Sequence, residues 1–257
     1  MSQSFTTEDL KTLLVFPFRD AKWQNKLLIA GLLSLGNFVV PLVPSIFLTG
    51  YTARIMRRIT VEGGEPFLPE WDDWGQMFVE GLKLFCVNLV YSLPALLLMF
   101  VGFAFFFGAS WLPLFTAESA SAPEAVVPFF AAMAVGMALF GLATVLSLAA
   151  GVIVPAPLNH LVVTGDFEAA FRFREWWAIF RANVGGFLLS YAILMGLGMV
   201  LGLAVQILYL TVVLCCLAPI VLALVGTYSS LVSAAIFAQA YRAGAQKLDA
   251  QTDLVPA

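Results

Sequence analysis

The chain has 257 residues, of which 61% are hydrophobic and 11% charged, and its mean hydropathy is +0.94. A soluble domain runs at about 45–50% apolar and about 25% charged, so the apolar surplus calls for lipid rather than water. A net charge of −3 and a pI near 5.1 lack the basic footprint of a nucleic-acid binder, and no nucleic-acid partner is expected.

The N-terminal stretch 6–26 is charged and weakly amphipathic. Leu10, Leu13 and Leu14 make an apolar stripe that Pro17 interrupts. It has no short apolar core followed by a small-residue cleavage site, so it does not read as a cleavable signal peptide.

The first apolar run, 27–53, is flanked by basic residues on both sides: Lys11, Arg19, Lys22 and Lys26 before it, Arg54, Arg57 and Arg58 after it. Positive charge marks the cytoplasmic side, which puts both ends of the run on one side. The run is too short for two full spans of about 17 residues or more. Gly36-Asn37, Pro41 and Pro44 also disfavour a continuous helix. Two readings stay open: a broken re-entrant hairpin, which the flanking charge favours, and a single kinked span.

Residues 67–83 come next and read as an amphipathic helix. Trp71, Trp74, Phe78 and Leu82 recur on one face, and Asp72, Asp73, Gln76 and Glu80 fall mostly on the other. Four runs are then long enough to cross a membrane, at 84–112, 127–158, 184–212 and 217–241. No Lys or Arg occurs between Lys83 and Arg172, and no charge of either sign between Arg181 and Arg242. These gaps define two hairpins. The tip of the first, around 111–128, carries only Glu118 and Glu124 and is expected outside; the tip of the second lies near 214–219. A second amphipathic segment, 166–181, separates the hairpins, with Phe167, Phe171, Trp177 and Phe180 as its apolar stripe and Asp166 as its N-cap. Both Trp-rich segments suit the headgroup level of the cytoplasmic face. The C-terminal tail with Arg242 and Lys247 is expected to be cytoplasmic and the membrane to be the plasma membrane.

The order of elements repeats. RRITVEGGEPFLPEWDDWGQMF from Arg57 and NHLVVTGDFEAAFRFREWWAIF from Asn159 each follow an apolar run with two prolines, turn at Val-x-Gly, and lead through a Trp-rich segment into another run. The halves would be 20–112 and 120–212 of a single membrane domain, with a final helix at 217–245. A repeat of this kind would make 27–58 resemble 127–158 in shape, which favours the single-span reading of the first run.

Chemistry is sparse. The deep parts of the four clear runs hold no titratable acid or base, although an ionisable group at that depth is the usual mark of ion or proton handling. Asn88, ahead of Tyr91-Ser92-Leu93-Pro94, and Gln206 suit hydrogen bonds between helices, and Gly198 and Gly202 suit close helix packing. His160, the single histidine, and Cys86, Cys215 and Cys216 lack the neighbours that a metal site or disulfide framework needs. No P-loop, GxSxG, HExxH or CxxC pattern occurs, and no cofactor is expected.

The segments FPFRDAKWQNKLLIAGLL (16–33), Gly50-Tyr51 with Arg54 and Arg57, LPEWDDW (68–74), Gly81-Leu82 and Tyr91-Ser92-Leu93-Pro94 together resemble the DUF4013 membrane proteins. The resemblance is good over about the first 95 residues and looser beyond. It implies a membrane fold and no particular activity.

The expectation is therefore an all-α, polytopic transmembrane helix bundle of four to five spans, with two cytoplasmic-side interfacial helices. Its function is read as non-enzymatic: a scaffold or subunit of a membrane assembly, in contact with the lipid bilayer and with other membrane proteins. Trp71, Asp72, Asp73, Trp74, Trp176 and Trp177 are the candidate partner contacts. The alternatives are a small transporter or channel for a neutral or apolar solute and, lacking clustered Asp, His or Cys, an enzyme acting on lipid.

Overall fold

A computed structural model describes residues 7–115, 126–210 and 217–253. Residues 116–125 of the first expected tip, with Glu118 and Glu124, and 214–216 of the second, with Cys215 and Cys216, lie outside the described residues. The described residues are all-α, without strands. The helices are α1 (Thr7–Val15), α2 (Trp23–Gly36), α3 (Val43–Thr60), α4 (Trp74–Phe115), α5 (Val126–Ile153), α6 (Pro155–Thr164), α7 (Phe173–Ala182), α8 (Val184–Leu210) and α9 (Ala218–Asp253). Four stretches are long and apolar enough to cross a membrane: Trp74–Gly108, Val127–Thr164, Val184–Ile207 and Ala218–Gln251. All four coincide with the apolar runs set off by the charge gaps.

The first run is not among them. It breaks into α2 and α3, which pack on each other as an antiparallel pair. At the tip, Ser45 donates to Asn37 Oδ1 (2.8 Å). At the open end, the start of α2 lies beside the chain that follows α3, where Trp71 Nε1 donates to the Lys26 carbonyl (3.1 Å). Pro41 and Pro44 cannot supply the amides that a continuous helix needs. The chain reverses through a three-residue γ-turn instead, with Val43 N–H donating to Pro41 O (3.0 Å) and Leu42 at φ 74°, a strained geometry for a bulky residue. The tip is apolar and exposed, Val39 at 83%. This is the shape of the re-entrant reading rather than of one kinked span.

The chain forms two compact units, Met1–Val87 with Ile153–Ala257, and Asn88–Val152. In the first, α9 is the axis: α1, α2, α3, α6, α7 and α8 all pack against it. Its small residues Ala234, Ala235, Ala238 and Ala240 are buried beside Leu231, Ile236 and Phe237, which lets neighbouring backbones approach closely. Ser34 and Thr227 share a 2.7 Å hydrogen bond between α2 and α9, and Tyr228 donates to Leu14 O (3.0 Å). The second unit is an antiparallel pair made from α4 and α5. Gly102 and Gly136 face each other where the helices touch, and a Cβ on Gly136 would stand 2.9 Å from Phe106 N.

The tightest approach in the first unit is between α3 and α4. A Cβ on Gly50 would collide with the Met77 carbonyl, and one on Gly81 with the Ile46 carbonyl and, at 2.8 Å, the Gly50 nitrogen. Only glycine at both positions permits this crossing.

Two expected elements have different limits. The helix read over 67–83 begins at Trp74 and is the first part of α4, 42 residues without a break. Gly63 (φ 67°), Pro66 and Pro69 hold the preceding chain out of a helix, and Asp73 (φ 45°) makes the final bend. An α-helix of that length is about 63 Å long, about twice the hydrocarbon thickness, so its first turns have room to lie outside the apolar layer. In the second segment Asp166 does cap, its side chain accepting from Glu168 N–H (3.1 Å). What it caps is a short 3-10 turn, Phe167–Phe171, ahead of α7. Within α7, Trp176 and Phe180 are buried, whereas Phe167 and Phe171 stay exposed.

The repeat is local. Val-x-Gly becomes a left-handed turn in both copies, Gly63 at φ 67° and Gly165 at φ 71°. The preceding runs differ in shape: residues 37–42 reverse the chain, while only Val154, ahead of Pro155, interrupts the passage from α5 to α6.

Replacing Gly50 or Gly81 by Ala is expected to destabilise the protein by about 3 kcal/mol or more, because backbone rather than a movable side chain stands in the way. Gly196→Ala, whose added Cβ meets nothing within 4 Å, should leave thermal unfolding in detergent unchanged. Equal melting temperatures for all three variants would refute the crossing.

Candidate partner interface at the polar ends of the helices

The segment after α3 is tied down by side chains that reach it from α2 and α3. Lys26, 5% exposed, donates to the Leu68 carbonyl (2.8 Å) and pairs with Asp20 (2.8 Å) and Glu70 (3.0 Å). Trp71 Nε1 returns a bond to the Lys26 carbonyl, so the two residues are held reciprocally. Tyr51, fully buried, donates to Pro69 O (2.8 Å), and its ring stacks on Trp71 at 4.0 Å and 8°. Arg54 bonds the Asp72 carboxylate and, at 3.2 Å each, the Glu70 and Asp72 carbonyls. Arg57 pairs with Glu80 (2.9 Å), which also accepts from Gln76.

These bonds shift the groups that make them. The Lys26 hydrogen bond holds the Asp20 carboxyl below its ordinary value, against the opposing effect of burial. Desolvation pulls the Lys26 ammonium down, but its bonds to Asp20 and Glu70 outweigh that and raise it overall. Arg54 holds Asp72 low.

A second cluster surrounds His160. Its Nδ1 lies 2.6 Å from the Tyr241 hydroxyl and its Nε2 3.1 Å from Glu175 Oε2. A neutral imidazole with its proton on Nε2 satisfies both contacts: Tyr241 O–H donates to Nδ1, and Nε2–H donates to Glu175. Arg172 pairs with Asp166 (2.7 Å) and approaches Glu175 (3.7 Å). The ring therefore joins α6 to α7 and α9.

The six expected contact residues fall into two groups. Asp72 is engaged by Arg54, and Asp73 Oδ1 accepts from Gln76 N–H (3.2 Å) at the start of α4. Trp71 is half-buried in its stack, whereas Trp74, 42% exposed, packs one side against Trp71 (5.4 Å) and Phe47 (5.6 Å). In the other group Trp176 is fully buried. Trp177 is partly exposed and lies between Phe173 (5.0 Å) and Phe180 (5.2 Å). Trp74 and Trp177 thus keep accessible ring surface, while Trp71, Asp72, Asp73 and Trp176 are held by contacts within the chain. The parts of Lys26, Asp20, Glu175 and Tyr241 were not legible from pattern alone. The one available signal was that Lys26 stands directly before an apolar run.

A family model described as "Protein of unknown function (DUF4013)" matches residues 33–210. The match begins later than the resemblance read from the first 95 residues and extends well beyond it. No curated protein and no solved structure matches the chain.

Lys26→Met strands the Leu68 carbonyl and two carboxylates, and is expected to cost about 2–3 kcal/mol and to quench the Trp71 stacking signal in near-UV circular dichroism. Asp20 and Asp72 titrate low in the fold, so their contribution is present above the ordinary value of 3.8 and lost as pH falls below it. Lys26 titrates high, so its contribution persists up to the ordinary value of 10.5 and is lost above it. Melting temperatures measured from pH 3 to pH 11 should therefore show a plateau that falls at both ends. In Lys26→Met the alkaline fall attributable to this residue should disappear.

Proposed function

The chain belongs to the DUF4013 family, and we propose that it is a non-enzymatic, multi-pass plasma-membrane protein that acts as a scaffold or subunit of a membrane assembly. The observation that carries this reading is the lack of internal cover on its apolar helices. In their most apolar windows only 17% of residues in α4, 11% in the α5–α6 stretch and 11% in α8 are buried, against 44% in α9. Such surface is stable only against lipid or other apolar helices. Its glycines point the same way: Gly50, Gly81, Gly102, Gly136 and Gly244 are used in contacts within the chain, whereas a Cβ at Gly198 or Gly202 on α8 meets nothing within 4 Å. That spacing suits a further helix.

The orientation follows from charge. The basic residues flanking the spans face the cytoplasm, which places the α2–α3 hairpin ends, the Trp-rich segments and the end of α9 there. The acidic segment with Glu118 and Glu124 then faces out. Partners are other membrane proteins that approach through Trp74 and Trp177 at the headgroup level and along α8.

Two measurements test this. With the native cysteines replaced, Gln246→Cys should resist a membrane-impermeant maleimide in intact cells and Ser119→Cys should react; the opposite pattern would sink the orientation. At native expression, mild-detergent extracts should yield the chain with stoichiometric partners on blue-native gels, and Trp74→Ala or Gly202→Leu should release them while the melting temperature is kept. A monodisperse, partner-free particle would refute the assembly role.

A further inference from the structure

One pocket differs in character from the paired clusters above. It opens between the α7–α8 junction and the last turns of α9 and has a volume of about 700 Å³. Three cations line it, Arg181, Arg242 and Lys247, and no Asp or Glu does. Elsewhere in this unit Lys26, Arg54, Arg57, Arg58 and Arg172 each have a carboxylate partner, and the cations without one among the described residues, Lys11, Arg19, Lys22, Lys83 and Arg174, do not line this pocket. The three that line it have none among the described residues: Arg242 donates to the Gly63 carbonyl (3.1 Å) and Lys247 to Asn183 Oδ1 (2.6 Å). Three positive charges gathered around one cavity repel one another unless an anion joins them.

The backbone adds to that field. α8 starts at Val184, and first-turn amides have no acceptor within their own helix, so they present partial positive charge to the same space. A Cβ at Gly185 would meet nothing within 4 Å, which leaves the helix end open to a ligand. Asn183, 8% exposed, fixes the pocket floor by donating to Ala240 O (2.9 Å) while it orients Lys247.

The location narrows the anion. Arg181 and Arg242 are the first charges met on leaving the uncharged stretch between them, so the pocket stands where apolar helix gives way to polar surface. One wall is Leu189, and the neighbouring Leu188 is 52% exposed. A ligand with a phosphate for the cations and a hydrocarbon tail for the α8 flank fits both parts. We propose that this pocket binds the phosphate headgroup of an anionic phospholipid. Basic pockets beside transmembrane helices favour this class of ligand. The inference takes its lipid source from the membrane placement proposed above, whereas the phosphate chemistry stands on the pocket alone.

The test is thermal unfolding of the full-length protein in non-ionic detergent, titrated with dihexanoyl-phosphatidylglycerol, dihexanoyl-phosphatidylcholine or inorganic phosphate. Half-maximal stabilisation by phosphatidylglycerol is expected at about a tenfold lower concentration than by phosphatidylcholine or more, since each cation near the surface is worth about fivefold. R181Q with R242Q should abolish the preference. K11Q with R174Q, an equal change of charge outside the pocket, should keep it. R181Q alone breaks no ion pair or hydrogen bond among the described residues; it should lower the preference about fivefold with an unchanged melting temperature in phosphatidylcholine. No preference in the wild type, or equal loss in the charge-matched control, overturns the site. Stabilisation by inorganic phosphate equal to that by phosphatidylglycerol overturns the lipid source. A failure of the membrane placement appears separately, in the maleimide labelling.

Discussion

The crossing of α3 over α4 at Gly50 and Gly81 is the constraint from which the first unit follows. With a carbonyl where each Cβ would stand, the two backbones meet directly. That contact sets the distance at which Tyr51 reaches Pro69 and Arg57 reaches Glu80. Once the chain after α3 is held against this crossing, Trp71 lies beside α2 and can return a hydrogen bond to Lys26. The α2–α3 hairpin is thereby fastened at its open end, while its apolar tip stays exposed. Separating the backbones by one methyl group would loosen all of these bonds together, because they share one geometry.

This explains why the residues that carry the family resemblance say little about chemistry. Gly50, Tyr51, Arg54, Arg57, the LPEWDDW segment and Gly81 converge on one clasp. Their polar atoms are directed at one another: Arg54 to Asp72, Arg57 to Glu80, Tyr51 to Pro69. Near a membrane such pairing is needed, since an unpaired polar group removed from water costs several kcal/mol in hydrocarbon. The His160 cluster has the same logic, with both ring nitrogens engaged. The cations at Arg181, Arg242 and Lys247 stand apart because they line one cavity that no carboxylate lines.

The two copies of the Val-x-Gly motif show how far local sequence carries. Each imposes a left-handed glycine, and each leads to a Trp-bearing helix. The runs ahead of them diverge for a reason visible in the prolines. Pro41 stands in the reversal itself, between α2 and α3, and Pro44 in the first turn of α3, whereas Pro155 and Pro157 both fall in the first turn of α6, where a missing amide costs nothing. Matched motifs therefore do not guarantee matched topology.

The sequence by itself determined the all-α class, the positions of the four long apolar helices, the two Val-x-Gly turns and the family. These depend on composition and on short-range patterns: hydropathy over a span's length, gaps in charge, and glycine where φ is positive. Only the tertiary structure decided that α2 and α3 fold back on each other, that the amphipathic segment 67–83 starts its helix at Trp74, and that Trp176 rather than Trp177 is buried. It alone brought Lys26 to Leu68 and His160 to Tyr241, across 42 and 81 residues of chain. The difference is physical. A helix is encoded by neighbours a few residues apart, but the partner of a buried charge is chosen by whichever distant backbone the packing brings within 3 Å.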